Sequence, residues 1–354
     1  MTGAVPPVMV TTDTVGGVWR YAIELAAGLA HLGGEVTLVA MGPSASPAQR
    51  AEAQAVPSLT FIDTGLPLDW TADNEDALDG AVARLREIAG GAGVRSAHLH
   101  APALVGSTPW PVPVVAVAHS CVATWWRAVR GDGRLPPDLA WRVEATGRGL
   151  RHADAKVAPS RAFAAAIEAE YGIRDVRVIH NGRRPLPNAR PAERAVLAAG
   201  RLWDEGKGIA ALDRAAAVLS APVRAAGRVE GPGGTARFAN LDLLGELDED
   251  GMAAARGRAT VFAAPARYEP FGLAVLEAAQ AGQALVLSDI PTFRELWDGA
   301  ALFAPGDDAL AETIERALDD PAQLAAKARE RAELYGWNQL AVATAAVHAE
   351  VLTH

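Results

Sequence analysis

Three short loops hold the residue types that anionic and polyhydroxyl ligands need. The first is Asp13-Thr14-Val15-Gly16-Gly17. Paired glycines where a helix opens let backbone N–H groups and the helix dipole meet a phosphate. A plain turn satisfies the same pattern. The second is Gly200-Arg201-Leu202-Trp203-Asp204-Glu205-Gly206-Lys207-Gly208. It approaches a P-loop, but five residues separate Gly200 from Gly206, and Gly208 stands where magnesium binding needs Ser or Thr. An NTPase is therefore rejected. Arg201 and Lys207 still suit an anionic diphosphate, with two solvated charges as the alternative. The third loop reads RYEPFGLAVLE from Arg267 to Glu277. Pro270 fits the first turn of a helix. Glu269 then stays in the loop, Glu277 sits two turns in, and Phe271, Val275 and Leu276 form a buried stripe. Two carboxylates so placed can bond paired hydroxyls at different points of one polar ligand.

Each loop follows an apolar run. Val8–Thr11 reads as a strand. Val18, Tyr21, Leu25, Leu29 and Leu32 then fall at spacings of three and four, one face of a helix that Gly33-Gly34 ends. Val36–Ala40 is the next strand, and more are predicted at 59–62, 96–100, 112–118, 155–158 and 176–180. Periodicity fails over 181–194, and strands resume at 196–199, 223–226, 241–244, 261–264, 284–287 and 301–303. The tail from Pro321 is helical, with a break near Gly336. This alternation predicts two parallel α/β halves. The boundaries are 1–181, a linker at 182–194, 195–335, and a terminal helix at 336–354 returning toward the first half. Two such halves imply a ligand cleft. No charged residue occurs from Ser96 to Trp126, a length that could cross a bilayer, but Pro102, Pro109, Pro111 and Pro113 would break a helix. Two buried strands joined by a turn are expected there.

Lys plus Arg total 33 against 42 Asp plus Glu, a net charge of −9, which argues against nucleic-acid binding. One cysteine, Cys121, allows neither an intrachain disulfide nor a Cys-based zinc site, and it reads as a small buried residue. No His/Asp/Glu cluster has ligand spacing, so no metal is expected. The N-terminus lacks the features of a signal peptide, and a cytoplasmic protein is expected.

The three loops together resemble the retaining glycosyltransferases of family 4, with the GT-B fold of two Rossmann-like doubly wound domains facing across a cleft. The segments APSRAF, VIHNG, LSDIPTFREL and ALFAPGDD are similar too, in the same order along nearly the whole chain. The resemblance implies a metal-independent hexosyltransferase-type enzyme without cofactor, using a nucleotide-sugar donor, UDP-sugars first among them. By family pattern Arg201 and Lys207 grip the diphosphate, and Glu277 takes the ribose. Glu269 and the backbone of Pro270, Phe271, Gly272 and Leu273 hold the sugar. Gly16 and Gly17 close on the phosphates. His119 matches the family's histidine beside the transferred sugar. His98 and His100 read as core or turn residues, with His100 able to face the cleft.

The acceptor is expected to be a hydroxyl on a saccharide, glycolipid or small metabolite. Candidate contacts are Asp13, Trp125, Trp126, Arg127 and Arg130, with Trp141 and Arg142 in the same aromatic and basic cluster; a partly buried helix with solvated arginines is the alternative. Peripheral association with the inner membrane face is a further expectation. Thr14-Val15-Gly16-Gly17 departs from the KxGGL loop of glycogen and starch synthases, which argues against a glucan synthase. Arg183-Arg184 stand where the family often has Val-Asp. A GT-B phosphorylase or epimerase, or a non-catalytic sugar-binding protein, are the competing readings.

Overall fold

A computed structural model describes residues 5–131, 133–187 and 192–353. Part of the expected 182–194 linker, residues 188–191, lies outside these. The chain divides into two compact units. The first runs to Arg184, apart from Ala128–Gly131, and takes in the residues from Trp337; the second is Pro185–Gly336 together with Ala128–Gly131.

Unit 1 is built on seven parallel strands: β1 (Val8–Asp13), β2 (Val36–Met41), β3 (Leu59–Asp63), β4 (Ser96–Leu99), β5 (Val114–Val117), β6 (Ala155–Ala158) and β7 (Val176–Val178), in the order β3-β2-β1-β4-β5-β6-β7. Its helices are α1 (Gly17–His31), α2 (Pro47–Gln54), α3 (Glu75–Gly91), α4 (Val122–Arg130), α5 (Pro137–His152) and α6 (Arg161–Tyr171). β1 and β2 are buried at every position, as a parallel sheet covered on both faces requires. The uncharged 96–126 stretch does hold two strands, β4 and β5. They lie parallel and adjacent, so no turn joins them; the chain crosses over through a 3₁₀ turn at Pro102–Val105.

Unit 2 repeats the plan. β8 (Val196–Ala199), β9 (Val223–Ala226), β12 (Asp242–Gly245), β13 (Val261–Ala264), β14 (Ala284–Ser288) and β15 (Leu302–Ala304) form a parallel sheet in the order β12-β9-β8-β13-β14-β15. Between β9 and β12 a small hairpin, β10 (Glu230–Gly231) and β11 (Gly234–Thr235), escaped the sequence pattern because its strands are two residues long. The helices are α7 (Ile209–Ala216), α8 (Glu249–Arg258), α9 (Leu273–Gln280), α10 (Pro291–Trp297), α11 (Leu310–Asp319) and α12 (Pro321–Ala332). The terminal helix α13 (Trp337–Val351) packs in unit 1 against α1. A Cβ on Gly28 would stand 2.5 Å from the Ala341 Cβ, so the two backbones meet at a residue without a side chain. Among the described residues no helix is long and apolar enough to cross a membrane.

In both sheets the strand order reverses beside the first strand, between β1 and β4 and between β8 and β13. At such a switch point neighbouring loops leave in opposite directions and open a crevice at the strands' carboxyl ends. The chain spends its unusual loops there. Asp13–Gly17 leaves β1, His100 follows β4, Gly200–Gly208 leaves β8, and Pro265–Gly272 leaves β13.

Candidate functional site

The helices after the three loops start alike. α1, α7 and α9 begin from Gly16, Gly208 and Gly272, all at positive φ (74°, 67° and 92°), and no side chain caps any of them. By contrast Ser46, Asn74, Ser160 and Asp248 cap α2, α3, α6 and α8 by accepting backbone N–H bonds. Without a side-chain cap, the first turn can offer its N–H groups and positive dipole end to an anion. At Gly208 a second requirement acts: a Cβ would lie 2.0 Å from the Pro265 carbonyl oxygen. Only glycine lets the β8 and β13 loops approach this closely. They are also joined by hydrogen bonds, since the N–H groups of Arg267 and Tyr268 donate to the Gly206 carbonyl at 2.8 and 3.1 Å.

This contact brings Lys207 and Glu269 together. The Lys207 ammonium donates to Glu269 Oε2 at 2.6 Å, and both side chains are largely shielded, at 22 % and 17 % exposure. Arg201 is more exposed; its Nη2 donates to Asp204 Oδ2 at 2.8 Å and its guanidinium lies over Trp203. Asp204 is buried, and its other oxygen accepts the Gly206 N–H at 2.9 Å, folding the loop. Asp204 stood in the motif, but its organising role was missed.

α9 begins at Leu273, so Pro270 lies in the loop rather than in the first helical turn. The left-handed Gly272 sets the start, and Glu277, the fifth helical residue, is little more than one turn in. Phe271, Val275 and Leu276 are buried as expected. Glu277 accepts at 3.2 Å from Nη1 of Arg256, a buried arginine of α8 that also faces Glu249. Sequence reasoning missed Arg256, since nothing local ties α8 to α9.

In unit 1 the buried Asp13 carboxylate accepts the Val15 N–H at 3.1 Å and shapes the Gly16 loop. Gly16 has open space where a side chain would sit. His119 follows β5 with its ring edge-on to Tyr21, centroids 4.3 Å apart. Its Nε2 is sealed from solvent and has no hydrogen-bond partner among the described residues. Burial lowers its pKa to about 4, so the ring is neutral near pH 7. His100 is buried after β4; its Nδ1 and its backbone N–H both meet Thr11 Oγ1, at 2.8 and 3.0 Å. Burial, then the nearby His119, lowers its pKa to about 3.

The aromatic and basic cluster is dispersed. Trp125 and Trp126 lie side by side on α4, and Trp126 donates to the Gly133 carbonyl. Arg127 is spent on Glu170 of α6, at 2.7 and 2.9 Å, and Arg130 is exposed at the end of α4. Arg142 lies over the Trp141 ring and donates to the carbonyls of Asp69 and Ala72, holding that loop rather than joining Trp125. Cys121 is buried, 2.9 Å from the Tyr171 hydroxyl. The departure at Arg183-Arg184 has a structural use: both pair with the buried Glu24 of α1, at 2.8 and 2.9 Å. Among the described residues no group of three or more His, Cys, Asp and Glu is arranged to hold a metal ion.

Residues 15–185 match the family model of Glycosyltransferase Family 4, and residues 238–335 that of Glycosyl transferases group 1. The chain belongs to the GT-B glycosyltransferases. It is 28 % identical to the glycogen synthase of Mycobacterium tuberculosis, over 97 % of this enzyme and 92 % of that one. Among solved structures, the sucrose-phosphate synthase of Thermosynechococcus elongatus shares the fold with a TM-score of 0.79 at 20 % identity, covering 98 % of this chain and 99 % of that one. Anabaena HepE, solved in complex with UDP-glucose, does so with a TM-score of 0.70 at 16 % identity, covering 98 % and 99 %.

Proposed function

We propose that this glycosyltransferase moves a sugar from a nucleotide-diphosphate sugar, a UDP-sugar first, to a hydroxyl acceptor with retention of anomeric configuration. The observation that carries the reading is the Lys207–Glu269 pair, at 2.6 Å, in the loops before the glycine-started helices α7 and α9. One cation and one carboxylate in contact suit a ligand that is anionic at one end and hydroxyl-bearing at the other. Lys207, Arg201 and the helix N-termini take the diphosphate. Glu269 and the backbone from Pro270 to Leu273 take the sugar, and Glu277, steadied by Arg256, takes the ribose. HepE, crystallised with UDP-glucose, supports UDP as the nucleotide.

In the proposed step the acceptor oxygen attacks the anomeric carbon on the face the phosphate leaves. A glycosidic C–O bond forms as the bond from the anomeric carbon to the phosphate oxygen breaks. The electron pair stays on the phosphate, which takes the acceptor's proton. Lys207 and Arg201 stabilise the charge that develops there, a role a metal fills in other enzymes. The neutral His119 donates to or accepts from a sugar hydroxyl. The Thr14-Val15-Gly16-Gly17 loop lacks the basic residue of glucan synthases, so we read the acceptor as something other than a growing glucan, despite the likeness to a glycogen synthase.

A thermal-shift panel of UDP, GDP, ADP and their glucose conjugates tests the reading. A true donor at 100 times its dissociation constant stabilises the fold by about 2.7 kcal/mol. The leading conjugate is then incubated with maltooligosaccharides and with simple alcohols, and product anomers are read by NMR. No stabilisation by any conjugate, or an inverted product, would refute it.

A further inference from the structure

Unit 1 buries a chain of polar side chains that the proposed reaction does not use. Ser96 Oγ lies 2.8 Å from His348 Nδ1, His348 Nε2 lies 3.1 Å from His98 Nδ1, and His98 Nε2 lies 2.9 Å from the Tyr21 hydroxyl. Ser96, His98 and His348 have no solvent exposure, and Tyr21 has almost none. With neutral rings each imidazole donates through one nitrogen and accepts through the other, so the links are satisfied in one direction along the chain. The links join α13, β4 and α1, elements far apart in sequence. At the end of the chain the Tyr21 and His119 rings pack T-shaped, with centroids 4.3 Å apart.

His119 has no comparable anchor. Among the described residues its buried Nε2 has no hydrogen-bond partner, and the Tyr21 ring packs T-shaped against it. A ring whose buried nitrogen has no partner is held on that side by packing, and keeps its direction only if the packed neighbour keeps its own. We propose that Tyr21 is the positioning residue for His119, and that the His98–His348–Ser96 chain fixes Tyr21, so that the terminal helix helps set the geometry of the sugar site. The inference rests on the reading of His119 as a contact of the transferred sugar.

The chemistry suits the task. The phenol supplies an apolar ring toward His119 and a hydroxyl toward His98, and each part of the residue has a separate job. Phenylalanine at this position removes the hydroxyl and keeps the ring; leucine removes both. His348→Phe breaks the chain from α13 without altering a residue of α1 or of the sugar site.

The test uses the full chain labelled with ¹⁵N at histidine, with UDP-glucose hydrolysis as the activity. Tyr21→Phe and His348→Phe should shift the His119 ring resonances and lower kcat about two- to ten-fold, the scale of one aromatic contact, with KM for UDP-glucose and affinity for UDP unchanged. Tyr21→Leu should lower kcat further. A structural role alone would lower thermal stability but leave the His119 resonances and the kcat of folded protein as in the wild type; that result overturns the proposal. Wild-type turnover in His119→Ala overturns the reading of His119 itself, and it is told apart because Tyr21→Phe would still move the His119 resonances.

Discussion

Lowering the pH from 7 to 5 presses protons on histidines that the fold keeps neutral. His348 is fully buried and its pKa is lowered to about 4 by burial; His100 is nearly so, lowered to about 3 by burial and then by His119. Both values are depressed relative to the ordinary 6.5, so the unfolded chain takes up these protons first. Stability is therefore whole above about pH 6.5–7 and falls as the pH drops toward the folded values. With an unfolded value near 6.5 and a folded ring still neutral at pH 5, each residue removes about 2 kcal/mol over the interval, about 4 kcal/mol for the two. That is a large part of the 5–15 kcal/mol that ordinarily holds a protein folded. The assay is urea denaturation at pH 7, 6 and 5 for the wild type, His348→Gln and His100→Asn. Each variant starts less stable at pH 7, yet should show about 2 kcal/mol less pH dependence, because it lacks one titrating ring. Wild-type stability that stays flat from pH 7 to 5, or variants with the wild-type slope, would refute the reasoning.

The other predictions concern the donor site. Lys207→Ala and Arg201→Ala should each slow transfer by about 10²–10³ with folding intact by circular dichroism; near-normal turnover in either removes that residue from the leaving-group site. Glu277→Gln should weaken UDP and UDP-glucose alike, by about ten-fold in calorimetry, whereas Glu269→Gln should weaken UDP-glucose and spare UDP. Equal losses for both ligands in Glu269→Gln would reassign that carboxylate. Glutamine is chosen at 277 because alanine would strip a partner from the buried Arg256 and confuse binding with stability.

The sequence alone determined the plan of two parallel α/β halves and the addresses of the motif loops. Apolar runs of four to six residues between helices with three- and four-residue spacing are local signals, and the glycines ahead of α1 and α7 announce themselves by type. The start of α9 was misread because Pro270 is a generic helix-opening signal, while the left-handed turn at Gly272 is a conformation and has to be seen. Partners were beyond reach for a different reason. Glu24 meets Arg183 across 159 positions, and His98 meets His348 across 250. A charged residue or an imidazole on an apolar element looks the same in sequence whether it binds a ligand or answers another side chain. What decides is which elements pack together. So only the tertiary structure could show Arg127 and Arg142 spent on Glu170 and on loop carbonyls, Asp204 and Arg256 behind the donor residues, and a terminal helix tied through His348 to the neighbour of His119. Local patterning reports what a segment becomes; burial, which turns a polar group into an obligation to find a partner, is a property of the assembled fold.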